Sequence, residues 1–185
     1  MAYTTVPKST AYFEPEIYTG SGSSKTISTL NFQSDFTWIK NRATTDMHSL
    51  FDAVRGATKR ISTNILTPQA TEAQDLTAFN TNGFTVGTSG AVNTNNVNYA
   101  SWNWKANGQG SSNTDGTINT TYTSASTTSG FSISTFTGTG SNATVGHGLG
   151  VAPKMVIIKS MTGGEDWTIF HEAGGGGKYI ILNST

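Results

Sequence analysis

Asn98-Tyr99-Ala100-Ser101-Trp102-Asn103-Trp104-Lys105 alternates without interruption, and its period of two assigns it to a β-strand. Ala100, Trp102 and Trp104 share one face of that strand, and Tyr99, Ser101 and Asn103 share the other. The tryptophans carry the larger apolar area, so the expectation places them in the core. Working outward, short β-like runs recur between turn residues. Residues 12–18 open an extended segment that Pro15 restricts to an edge or entry strand. Gly20-Ser21-Gly22-Ser23 turns the chain, Thr26-Ile27-Ser28 resumes β character, and Phe36-Thr37-Trp38-Ile39 has the composition of a central strand. Residues 50–56 and 60–64 read as the next two strands, and residues 84–87 follow the turn Asn82-Gly83. Residues 71–79 are the one helix-like stretch. This spacing predicts an all-β fold, an antiparallel β-sandwich.

The chain also nearly repeats itself. Phe36-Thr37-Trp38-Ile39-Lys40, Leu50-Phe51, Lys59 and Asn64 reappear as Met155-Val156-Ile157-Ile158-Lys159, Ile169-Phe170, Lys178 and Asn183. Lys40 and Lys159 stand 119 positions apart (159 − 40), and Phe51/Phe170, Lys59/Lys178 and Asn64/Asn183 share that offset. Composition alone does not produce one spacing across separate apolar clusters. Upstream, Tyr18-Thr19-Gly20 and Phe136-Thr137-Gly138 match with a shift of one residue, which a loop deletion explains. The strands beyond Asn64 have no counterpart after Asn183, so the expectation is one full module and the opening of a second. The divisions expected are an anchoring segment at 1–11, a first module at 12–105, a polar linker at 106–130 and a partial second module at 131–185.

Eleven basic and eleven acidic residues give a net charge of zero, and only 12% of residues are charged. Such a surface has no basic field to attract phosphate, which argues against nucleic-acid binding. Solubility rests on Ser, Thr, Asn and Gly instead, a choice typical of extracellular or particle-borne β proteins. There is no cysteine, so neither disulfides nor thiolate metal sites are available. The start of the chain lacks the apolar region of a secretory signal, and no apolar run approaches the ~20 residues of a membrane helix.

Several strings in this order carry a resemblance: Met1-Ala2-Tyr3-Thr4-Thr5, Tyr18-Thr19-Gly20, residues 36–42, residues 48–56, Leu76-Thr77-Ala78-Phe79-Asn80, Gly83-Phe84-Thr85-Val86-Gly87, Trp102-Asn103-Trp104-Lys105 and residues 145–150. Together they resemble a module of structural proteins from marine tailed bacteriophages, of tail-fibre or head-appendage type. The resemblance covers essentially the whole chain. It implies a jelly-roll or concanavalin A-like sandwich in a virion protein that is assembled in the host cytoplasm. A homo-oligomer, most often a trimer, and contacts with other virion proteins are also implied. It supplies no catalytic, cofactor-binding or metal-binding residue.

Site chemistry is therefore judged from the residues. His48, His147 and His171 have no second histidine or carboxylate at a metal-ligand spacing and read as strand-end polar residues. Asp46, His48 and Asp52 lie close together, yet no Gly-x-Ser-x-Gly elbow accompanies them. A glycosidase needs two carboxylates facing each other across a cleft, and Glu14, Glu16, Asp35, Asp46, Asp52, Glu72, Asp75, Asp115, Glu165, Asp166 and Glu172 are the available set. Asn113-Thr114-Asp115-Gly116 reads as a hairpin turn, since no bidentate glutamate stands where a calcium loop requires one. Gly146-His147-Gly148-Leu149-Gly150 and Gly174-Gly175-Gly176-Gly177 lead into strands rather than a helix, so they read as turns and not as a dinucleotide fingerprint. Trp102 and Trp104 could stack sugar rings if exposed, but they are expected in the core. Tyr99 and Tyr122, beside Asn and Thr, are the expected surface contacts for a glycan. The expectation is a non-enzymatic virion protein without metal or cofactor, presenting β-sandwich modules to a host-surface glycan. A purely architectural capsid-decoration or tail protein and a polysaccharide depolymerase are the alternatives.

Overall fold

The computed structural model describes residues 8–184, so residues 1–7 of the expected anchoring segment lie outside the described residues. Six strands form the larger sheet: β1 (Phe13–Thr19), β3 (Phe36–Asn41), β4 (Ser49–Asp52), β5 (Lys59–Ser62), β6 (Ala70–Thr71) and β9 (Asn98–Trp104). Their order is β1-β9-β3-β4-β5-β6, with every neighbouring pair antiparallel. A second antiparallel sheet has the order β2-β8-β7, from β2 (Lys25–Ile27), β7 (Leu76–Asn80) and β8 (Gly83–Val86). The core lies between them. Tyr18, Ile39, Phe51 and Tyr99 enter it from the larger sheet, and Ile27, Leu76, Phe84 and Val86 from the smaller one. The expected all-β antiparallel sandwich is the architecture observed. No helix among the described residues is long and apolar enough to cross a membrane.

Residues 71–79, expected to be helical, form the end of β6, a turn and most of β7. Glu, Ala, Gln and Leu favour a helix weakly, and the pairing of Leu76–Asn80 with β8 outweighs that preference. The helix that does form, α1 (Gly90–Asn93), is a single turn capped by the Ser89 side chain. At Gly83 the β7–β8 turn brings the backbone against β2, where a Cβ would stand 2.0 Å from the Ile27 carbonyl oxygen. Only glycine fits there. The strand expected over 50–56 stops at Asp52, because Asp52 Oδ1 accepts from Arg55 N at 2.8 Å and closes a turn.

The tryptophan strand is inverted relative to expectation. Tyr99, Ser101 and Asn103 face the core, and Trp102 and Trp104 face outward. Tyr99 stacks on Tyr18 at 5.2 Å. At the other end of the strand Asn103 is fully satisfied, donating to Glu14 O and Ser101 Oγ and accepting from Ser34 Oγ. Small polar side chains with all partners supplied bury without penalty, so apolar area did not decide which face turned inward.

Residues 106–130 are packed rather than a free linker. Ala106 N donates to Asp35 Oδ2 at 2.7 Å, and Asn107 N donates to Ser124 Oγ at 2.8 Å. Strand β10 (Tyr122–Ser126) pairs with β11 (Phe131–Thr135), so residue 130 falls in a hairpin turn. Backbone and hydroxyl hydrogen bonds hold this segment where apolar side chains are few.

The repeat is visible in strand register. A third sheet consists of β12 (Met155–Ile158), β13 (Thr168–His171) and β14 (Ile180–Ile181), in that order. Phe36↔Asp52, Trp38↔Leu50 and Leu50↔Ile61 in the first unit become Met155↔His171, Ile157↔Ile169 and Ile169↔Ile180 in the second, each position advanced by the same offset. Hydrogen bonds repeat too. His48 N donates to Asn64 Oδ1 at 2.9 Å, and its counterpart Trp167 N donates to Asn183 Oδ1 at 2.8 Å. Lys40 Nζ donates to Asp46 O, and Lys159 Nζ to Glu165 O.

Candidate functional site: an aromatic groove on the outer sheet face

The inward turn of Tyr99 and Ile39 forces their neighbours onto the outer face of the larger sheet. Cross-strand registry then lines up Trp102, Trp38, Leu50 and Ile61 in one row, with Trp104 and Phe36 in the row beside it. Two later segments cover the flanks of this face. Phe131 of β11 packs edge-on against Phe36 at 5.5 Å and stacks on Trp104 at 6.0 Å. Trp167, just before β13, packs on Leu50 and Ile61 and donates its indole N–H to Ser62 O at 2.9 Å. Between the two covers a groove of about 250 Å³ stays open, lined by Trp38, Lys40, His48, Trp102 and Trp104.

Trp102 is 37% exposed, and its ring centroid stands 6.0 Å from that of Trp38 at an interplanar angle of 59°. The two indoles form the walls of a wedge rather than a stack. Lys40 is fixed at the rim because its ammonium donates to Thr44 O at 3.0 Å and Asp46 O at 2.9 Å. Burial, reinforced by the Lys40 charge, holds the His48 imidazole below its ordinary value of 6.5, so at neutral pH it is uncharged. The groove thus offers aromatic faces, one pinned cation and one neutral imidazole. That combination suits an uncharged, partly apolar ligand with hydroxyl groups at its edge.

The residues expected to contact a glycan are not brought together. Tyr99 is 0% exposed, and its hydroxyl donates to Gly90 O at 2.8 Å and accepts from Thr94 N at 2.9 Å. It holds α1 to the sheet and cannot meet a ligand from solvent. Tyr122 is 36% exposed on β10, away from the groove lining. The tryptophans set aside as core are the ones presented.

Other candidates resolve into structural roles. The Asp52 carboxylate pairs with Arg55 Nε at 2.5 Å, and Asp46 Oδ2 accepts from Asn41 Nδ2 at 2.6 Å, so neither carboxylate is bonded to His48. Glu72 and Asp75 do converge, but on the Arg60 guanidinium between them, at 3.0 and 2.8 Å. Glu14 accepts from Asn31, Asp166 from Asn183, and Glu172 pairs with Lys154. Asn113-Thr114-Asp115 closes on itself, with Asp115 N donating to Asn113 Oδ1 at 2.9 Å. Among the described residues no three His, Cys, Asp or Glu side chains gather as a metal site.

One family model spans residues 8–185, from the first described residue through both units. The chain belongs to the DUF7483 family. That family is described as a domain of unknown function, so membership assigns no ligand to the groove. No curated protein and no solved structure matches the chain.

A sequence signal for the groove existed. Lys40 shares the face of Trp38, and Asn98 shares the face of Trp102 and Trp104. The lysine marks the wet side of β3, whatever the size of the aromatics on it, whereas an amide does not discriminate, since Asn98 lies on the exposed face of β9 and Asn103 on the buried one.

Proposed function

We propose that this chain is a non-enzymatic, glycan-binding β-sandwich protein of a phage virion, acting in host-surface attachment as part of a tail fibre or head appendage. The observation that carries the binding reading is the outward presentation of Trp38, Trp102 and Trp104 on a rigid sheet, flanked by Lys40 and His48. A pyranose ring presents a face of weakly positive C–H groups, which complements the negative face of an indole. Its hydroxyls reach outward to polar groups at the rim. Support for the virion setting is the resemblance carried by the strings between Met1 and Gly150, together with a hydroxyl-rich surface of zero net charge.

No bond-breaking step is assigned to the groove, because its lining includes no carboxylate pair of the kind glycoside hydrolysis uses. A shallow site of this size gives a single-site Kd in the millimolar range, about 4 kcal/mol. Presenting several copies on one particle raises the overall affinity by about 10²–10⁴.

A glycan array of bacterial surface polysaccharides, with titration of the hits, tests this reading. Trp102→Ala should weaken binding at least about tenfold while the chain stays folded, since Trp102 lies outside the buried core cluster. An array silent for the wild-type chain supports the architectural role instead. Release of free sugar from a bound polysaccharide would establish a depolymerase.

A further inference from the structure

Past Ala100 and Lys40 the groove opens onto a cationic rim. Ile39 and Asn41 are buried, which turns Lys40 to the outer face of β3. Arg42 N donates to Asn98 O at 2.9 Å, so the ladder and its alternation run one residue beyond the end of β3. Arg42 and Asn98, both exposed, therefore share the outer face with Lys40 and Trp102. Four residues separate Trp38 from Arg42, about 14 Å along the strand, a span that takes in more than one sugar ring.

Neither cation is neutralised. Lys40 uses two of its three donors on backbone carbonyls, Thr44 O and Asp46 O, which leaves its charge and one N–H available. Among the described residues neither Lys40 nor Arg42 forms an ion pair. The Asp46 carboxylate on the adjoining loop accepts from Asn41 Nδ2 at 2.6 Å, and the outward positions of β1, β3 and β9 hold no carboxylate. The Lys40 charge reaches into the groove, where it is second only to burial in holding down the His48 pKa. The repeat marks the same rim. Arg42 and His48 correspond to Met161 and Trp167, the residues with which the second unit packs on Leu50 and Ile61. Lys40 and Lys159 are alike, and each clamps the loop after its strand through a backbone carbonyl. What sets the first unit apart is a guanidinium and an imidazole where the second has docking side chains.

We propose that the glycan bound here is acidic: a neutral pyranose stacks on Trp102, and a uronic acid next to it in the polysaccharide places its carboxylate between Lys40 and Arg42. This inference rests on the glycan reading of the groove. A uronate carries its charge on the sugar ring, so one saccharide chain supplies both the face for the indoles and the anion for the rim. The planar carboxylate also matches the fork of the Arg42 guanidinium.

An array of uronate-containing bacterial polysaccharides, each beside its carboxyl-reduced form and with dextran and glycerol-phosphate teichoic acid as further arms, tests the charge requirement. The expected ligands are uronates, bound at least about fivefold more tightly than their reduced forms, with a preference that shrinks as salt rises from about 50 to about 500 mM. Arg42→Gln should cut that preference at least about threefold. Arg42 is exposed and outside the core clusters, so its replacement leaves the fold intact, whereas Lys40 ties down its loop and is not the residue to change. Trp102→Ala should weaken the acid and reduced forms alike. Equal binding of the two forms, or a preference that Arg42→Gln leaves undiminished, overturns the proposal while the glycan reading stands. An array without hits, or with teichoic acid as its only ligand, overturns both.

Discussion

His48 shows how much one side chain is asked to do. Its backbone N–H is capped by Asn64, its ring lines the groove, and its pKa is depressed first by burial and then by Lys40. The folded state therefore takes up the His48 proton at a lower pH than the unfolded chain, whose histidine titrates near 6.5. Below that value the unfolded chain binds more protons, and stability falls as pH drops through the folded-state value. Above 6.5 the His48 contribution is fully present and flat. Urea melts of the wild type and His48→Gln between pH 8 and 5 check this: the variant should lose part of the acid-side decline and match the wild type in slope above pH 7. A decline of equal steepness in both proteins would assign it to other groups. At this scale the sequence was least legible. Periodicity separated the two faces of β9 correctly, but ring size was a poor guide to which face is dry. Tyr99 went inward because its hydroxyl found Gly90 O and Thr94 N, partners that depend on how α1 docks and that a one-dimensional pattern does not display.

Among elements, the three-stranded motif β3-β4-β5 and its copy β12-β13-β14 were the most legible part of the chain. Apolar clusters at a fixed offset survive sequence divergence because a slip of one residue would turn every side chain to the wrong face. The helix expected over 71–79 failed for the opposite reason, since no repeat or strict period constrained it. Asn64 and Asn183 test the equivalence of the two motifs. Each accepts one backbone N–H, from His48 and from Trp167. Replacing either by Ala leaves that N–H without its partner, at a cost of about 1 kcal/mol. Asn64→Ala should lower global stability in denaturant by about that amount. Asn183→Ala should instead raise amide exchange mainly in β13 and β14, because that smaller sheet contributes only Trp167 and a few half-buried neighbours to a shared core. Equal effects of the two variants on the global transition would mean that both motifs unfold as one body.

Across the whole molecule, Trp167 is the main tie between the two units. It buries its indole over Leu50 and Ile61 and bonds to Ser62 O, while Gln69 N donates to Met161 O at 2.9 Å nearby. Removing a buried tryptophan costs about 3–5 kcal/mol. Trp167→Ala should accordingly expose the Leu50–Ile61 end of the outer face, seen as new binding of a hydrophobic dye, and should split thermal unfolding into two steps. A single unshifted transition would show that the tie lies elsewhere. This contact joins residues more than a hundred positions apart, and the spacing of the repeat announced the two units without announcing that one sits on the other.

Trp167 occupies in the second unit the position that His48 occupies in the first. The lid and the rim of the groove are thus the same place in successive copies, and the surface that does the capping differs from the surface that is capped. Contacts of that kind do not close on themselves. In any longer chain built on this spacing, each unit would roof its predecessor and leave its own outer sheet face for the next, with Met155 and Ile157 standing where Phe36 and Trp38 stand in the first unit, so that units stack in one direction like tiles and the polarity of the stack is written into a single His-to-Trp exchange.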